Sequence, residues 1–282
     1  MRVLIILFIF LYPFLLFADE LKVYEIKGEE IWEKERIIDG IVAVRKSGKL
    51  IIKAGTRVIF LPIDVDKDDI GDGEIYVEGE IYIQGEKDNP VIFTAQSDNI
   101  EPGIWKYLMI NHAKYAFINY AIFEGAFSGV QVHFTKAVVK NSVFRKNIDG
   151  FRFSTADVYV CNCVMRDNKH GIRYEERDSN GLIHYNEIKN NEIGIFPVIK
   201  SESKVRFEYN NIYDNGYNIK IGDDQKKDII YANNYFGHDR EKKIRELIFD
   251  KSKDKNLPRA KISPFLKKKI IIGEDKCLER GY

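Results

Sequence analysis

Apolar positions in the middle of the chain fall into columns. Counted from Gly129, Gly150, Gly171 and Gly194, with Asn218 taking the place in a fifth copy, the steps are 21, 21, 23 and 24 residues. Six residues before this anchor stand Phe123, Phe144, Met165, Ile188 and Ile212. One residue after it stand Val130, Phe151, Ile172, Ile195 and Ile219, and three after it Val132, Phe153, Tyr174, Pro197 and Ile221. Apolar residues at alternate positions describe a strand with one buried face. Three residues before the anchor come Ala126, Asn147, Asn168, Asn191 and Asn215, while the charges between these columns change freely.

A period of this length needs a chain that returns to its start. Three strands of about three to five residues, plus turns, fill it, and successive coils would stack about 4.8 Å apart. Stacking buries a continuous apolar interior that one coil cannot bury alone. Asn tolerates a left-handed bend and can bond to the Asn of the next coil. Gly three residues later is expected to allow the next sharp turn. Looser copies begin at Gly48 ("GKLIIKAGTRVIF") and Gly73 ("GEIYVEGEIYIQG"), and no long helical period occurs before residue 238. The pattern predicts an all-β solenoid of 21–24-residue coils. A β-sandwich is the competing fold, but it requires no such register.

The ends read differently. Arg2 and the apolar run Val3–Phe17 before Ala18 have the form of a secretory signal peptide over residues 1–18, cleaved near Ala18. The alternative is an uncleaved anchor, although the run is short for a span of about 20 residues and Pro13 interrupts it. No later stretch is apolar enough to cross a bilayer. The expected organisation is a lead-in over 19–39, the solenoid over 40–237, and a helix with a capping tail over 238–282. The mature chain is expected to be secreted or periplasmic.

Composition adds little. The net charge is +1, from 44 basic and 43 acidic side chains, which speaks against a bulk nucleic-acid binder. The 31% charged fraction leans toward a thermophilic source. Three cysteines do not make a disulfide framework. Cys161 and Cys163 are expected as small wall residues on one side of a strand, with Cys277 distant.

The chain resembles the right-handed parallel β-helix proteins of the pectate-lyase-like superfamily over about residues 40–266. "GEKDNPVIFTA" from Gly85, "PGIWKYLMI" from Pro102 and the closing "NNYFG" from Asn233 carry the resemblance. Such proteins often end in a short helix and a proline-bearing capping strand, here matched by "DREKKIRELIFDKSKD" and by "ISPFL" from Ile262. The resemblance implies a fold that hosts lyases, hydrolases, epimerases, adhesins and scaffolds. The clustered phrases of its galacturonan hydrolases are absent, and Asp223 and Asp224 have no matching partners. In the acidic loop from Asp64, Asp66, Asp68 and Asp72 are calcium candidates, but the spacing fails the EF-hand pattern and a solvated loop is expected.

Five basic residues are the candidate ligand-binding set. Arg145, Arg166 and Lys189 stand five residues before their anchors, and Arg152 and Arg173 two residues after. Stacked like charges require interleaved acids or an anionic partner. Asp149 and His170 should be rung neighbours in a solvated ladder, with catalysis by a His–carboxylate base as the alternative. Tyr120, Tyr185 and Tyr209 form a further outward column. The expectation is an exported, non-catalytic β-helix module that binds or scaffolds an acidic polysaccharide, without cofactor or metal. A polysaccharide lyase or hydrolase is the alternative.

Overall fold

The computed structural model describes residues 21–277, so the signal segment lies outside the described residues. Three parallel sheets wind about one axis as a right-handed parallel β-helix, two of eight strands and one of ten. Each coil contributes one strand to each sheet in turn. The central coil, for example, gives Asp149–Ser154 to sheet 1, Asp157–Cys161 to sheet 2 and Val164–Arg166 to sheet 3. The first coil is already formed by Lys22–Ile26, Glu29–Trp32 and Glu35–Ile38, where the sequence suggested a lead-in.

The apolar columns face inward as their period requires. Phe144 pairs with Phe123 and Met165, Phe151 pairs with Val130 and Ile172, and all are fully buried. Phe93, Phe123 and Phe144 stack ring on ring at 4.6 and 5.1 Å.

The corners carry most of the conformational specificity, and they divide the labour that the sequence assigned to one Asn. At the corner between sheets 3 and 1, the left-handed residues are Lys146, Asp167, Asn190 and Asp214. The next residue in each coil, Asn147, Asn168, Asn191 and Asn215, is a buried ladder member. Asn147 Nδ2 donates to Asn168 Oδ1, and Asn168 Nδ2 to Asn191 Oδ1, each at 3.0 Å. A second ladder, Asn186–Asn210–Asn234, runs at the corner between sheets 2 and 3. There Tyr120, Asn141, Asn162, Tyr185, Tyr209 and Asn233 are left-handed. The anchor glycines make no sharp turn: a Cβ on Gly150 would lie 2.7 Å from the Gly171 carbonyl oxygen, so close approach of successive rungs explains them.

At the C-terminal end the helix is shorter than its periodicity suggested, Glu241–Glu246, and Ile248–Phe249 instead joins sheet 1 as its tenth strand. The tail then turns back along the corner between sheets 2 and 3. Ile270 exchanges two hydrogen bonds with the Asn211 side chain, and Tyr120 donates to Glu274. Cys277 is disulfide-bonded to Cys161, which corrects the expectation of unpaired cysteines. The left-handed bend at Asn162 turns the chain, so Cys163 joins the interior while Cys161 sits in an apolar cluster outside sheet 2. Sequence separation of 116 residues concealed the partner.

Candidate functional site

The five basic residues separate onto two sheets. Arg145, Arg166 and Lys189 occupy one register column on sheet 3, as their spacing predicts. Each has an acid beside it, although Lys189 shares Glu187 with Lys269 of the tail. Arg145 lies 2.7 Å from Glu124, Arg166 pairs with Asp167, and Lys189 lies 3.4 Å from Glu187. Interleaved carboxylates therefore neutralise this track.

Sheet 1 holds a different arrangement. Arg152 and Arg173 are direct neighbours on adjacent strands, and so are Asp149 and His170. Asp149 is fully buried and His170 nearly so, so the pair is no solvated ladder. His170 Nδ1 lies 2.6 Å from Asp149 Oδ1, which holds the ring. Arg152 and Arg173 each place a guanidinium nitrogen 3.6 Å from the other oxygen, Oδ2. Two guanidiniums thus share one carboxylate. Burial, and then the Arg173 charge, lowers the Arg152 pKa below the usual arginine value. Burial and Arg152 lower that of His133 as well.

Arg152 and Arg173 line a groove of about 260 Å³ with His133, Phe134, Glu175 and Arg177, while Asp149 and His170 lie outside its lining. Arg177 is matched by Glu175 at 2.6 Å, so the cationic excess belongs to Arg152 and Arg173. The same face is unusually short of hydrogen bonds. Among the described residues, six buried side-chain polar atoms have no hydrogen-bond partner, and five belong to strands of sheet 1: Glu74 Oε2, Ser128 Oγ, Gln131 Oε1, Asp149 Oδ2 and Arg173 Nε. Buried polar groups are normally paired, so their concentration on one face calls for a reason.

Other candidates come apart. Tyr185 and Tyr209 stack at 5.7 Å, but on the corner that the tail follows, away from Arg152 and Arg173. Asp223 and Asp224 are exposed. In the acidic loop, Asp64 rather than Asp68 converges with Asp66 and Asp72, their oxygens within 4.8 Å of one another. Asp64 accepts backbone N–H bonds from Lys67, Asp68 and Asp69, while Asp72 accepts from Val65 and lies 3.3 Å from Lys106.

The soft donors are dispersed. His112 contacts Asn111, His133 contacts Gln131, and His184 contacts Tyr159 at 2.9 Å. Burial, with Arg206 nearby, pushes His184 down to about 4. Burial pushes the Cys163 thiol up to about 12. The reading of the sequence also missed Glu176, whose buried carboxylate accepts N–H bonds from residues 202–205. A lone Glu in a loop between strands gives no periodic signal.

The family described as "Periplasmic copper-binding protein (NosD)" matches residues 64–252. No curated protein and no solved structure matches the chain. The match spans most of the solenoid, including both rungs that carry Arg152 and Arg173, and the chain belongs to the NosD family of periplasmic β-helix proteins.

Proposed function

We propose that this chain is an exported, non-catalytic binding module that holds an acidic polysaccharide on sheet 1. The observation that carries the reading is the sharing of one buried Asp149 oxygen by Arg152 and Arg173, each at 3.6 Å. A second anion on the exposed side completes the charge balance of the two guanidiniums, which suit carboxylate recognition. Sheet 3 is not the binding surface, because its cations are already paired.

Copper, named in the family description, does not fit the donors of this chain. Copper favours converging thiolate, thioether or imidazole ligands. Here the sole group of three or more His, Cys, Asp or Glu donors that converges among the described residues is all carboxylate, a set suited to hard cations. Cys161 is consumed in a disulfide, and the buried Cys163 thiol stays protonated.

A second reading, cleavage of the same polymer, has one observation in its favour: Asp149 orients His170 as a carboxylate orients a catalytic imidazole. Titration with an acidic and a neutral glycan at two salt concentrations tests the main reading. Arg152→Gln/Arg173→Gln should abolish binding, and Arg145→Gln/Arg166→Gln/Lys189→Gln should leave it. Equal binding by wild type and the first variant refutes it. Appearance of new reducing ends or unsaturated products with wild type but not His170→Ala would establish cleavage instead.

A further inference from the structure

One outward column of sheet 1 reads Gln131, Arg152, Arg173, Phe196 in direct register. The pairing of Ile195 with Ile219 brings Lys220 to the next rung, and Lys220 pairs in turn with Phe249. Six successive rungs therefore present an amide, two guanidiniums, an aromatic ring, an ammonium and a second aromatic ring. From Arg152 onward every member is half-buried. The Arg173 guanidinium lies 5.8 Å from the Phe196 ring centre, and Lys220 5.6 Å from that of Phe249. Among the described residues Lys220 has no acidic partner. Lys220 thus adds a third cation to the column, without the shared carboxylate that Arg152 and Arg173 have.

We infer that the acidic polysaccharide lies lengthwise along this column, with an acidic sugar at Arg152–Arg173, a neutral sugar stacked on Phe196, and the next acidic sugar at Lys220. The inference rests on the reading of Arg152 and Arg173 as the acid-binding pair. Its substance is the spacing. Arg173 and Lys220 are two rungs apart, about 10 Å, with an aromatic surface between them. A sugar ring is about as long as one rung. The column therefore matches a glycan in which acidic and neutral sugars alternate better than one in which every sugar is acidic. Aromatic rings take the apolar face of a sugar, and cations take its carboxylates.

The unpaired polar atoms point the same way. Gln131 Oε1 is an acceptor lacking a donor, Asp149 Oδ2 has only its two guanidinium contacts at 3.6 Å, and Arg173 Nε is a donor lacking an acceptor. A ligand bearing both hydroxyls and carboxylates complements that mixture once the arginines shift to meet it. A fully ionised phosphate polymer supplies acceptors alone.

The test compares a disaccharide with a hexasaccharide of hyaluronan, which alternates glucuronate and N-acetylglucosamine, and a fully acidic hexagalacturonate. Wild type should bind the hyaluronan hexamer at least tenfold more tightly than the dimer, and more tightly than hexagalacturonate. Lys220→Gln and Phe196→Ala, both changes at half-exposed positions, should each cut hexamer affinity at least fivefold; Lys220→Gln should leave dimer affinity unchanged, whereas Phe196→Ala should weaken the dimer as well. If the hexamer binds no better than the dimer, or both variants leave it unaffected while Arg152→Gln/Arg173→Gln abolishes binding, the lengthwise column is wrong and the acid-binding pair stands. If no acidic probe binds wild type at low salt, the acid-binding pair fails, and the column with it.

Discussion

Replacing Asn168 by Ala removes one member of a buried ladder and leaves one neighbouring N–H orphaned. Asn168 Oδ1 accepts from the Asn147 backbone N–H and from Asn147 Nδ2, both at 3.0 Å. Its Nδ2 donates to the Phe144 carbonyl and to Asn191 Oδ1, also at 3.0 Å. After the change, Asn147 Nδ2 keeps the Phe123 carbonyl and Asn191 Oδ1 keeps the Asn168 N–H. The Asn147 N–H loses the side-chain oxygen that satisfies it, while the Phe144 carbonyl keeps its ladder bond to the next strand. A buried polar group left unpaired costs about 1–3 kcal/mol, which is the expected loss. The loss should be local, because solenoid coils contact chiefly their neighbours. Urea unfolding with an unchanged slope measures the total, and native-state hydrogen exchange at Phe144, Asn147 and Asn168 locates it. A loss below about 0.5 kcal/mol, with exchange unaltered at those amides, would show that the ladder merely fills space and that its hydrogen bonds are dispensable.

Phe144→Ala and Ile172→Ala, both at fully buried positions, should each cost about 2–5 kcal/mol in the same unfolding assay, while Arg145→Ala should cost under about 1 kcal/mol. Stability should fall as pH drops from 6.5 toward about 4 because His184 is held neutral when folded, so the unfolded chain binds the extra proton across that window. His184→Gln should flatten the part of the pH–stability curve due to this residue, and an identical curve would exclude the burial as its cause. Cys161→Ser should free the tail that follows the sheet 2–3 corner, read as new protease cleavage between Leu266 and Cys277. Wild-type resistance in that variant would mean that the Asn211 and Tyr120 contacts hold the tail without the disulfide.

The solenoid was legible because stacking forces equivalent residues into register, and register survives as sequence period. The columns through Phe144, Phe151 and Phe153 needed no further information. Burial of Asp149 was misread: strand alternation places it in phase with Phe151 and Phe153, but its charge and its pairing with His170 suggested a solvated ladder. The neutral balance of Arg145, Arg166 and Lys189 was half legible. Their column was plain and holds Glu124 itself, five residues before Gly129, but the pairing of Lys189 with Glu187 needed the fold. Lys220 was legible, two residues after Asn218 as Arg152 and Arg173 are after their anchors, whereas Phe249 escaped notice because the last strand looks like the end of a helix. The Cys161–Cys277 bond required knowing that the tail turns back along the stack.

Arginine footprinting by mass spectrometry most directly tests the central claim that Arg152 and Arg173 on sheet 1 receive the acidic polymer. The protein is treated with an arginine-selective dicarbonyl reagent with and without hyaluronan at low salt. Selective protection of Arg152 and Arg173, with Arg145 and Arg166 reacting at unchanged rates, is the predicted result. Protection of Arg145 and Arg166 instead, or equal reactivity of all four with the glycan in excess, would contradict it.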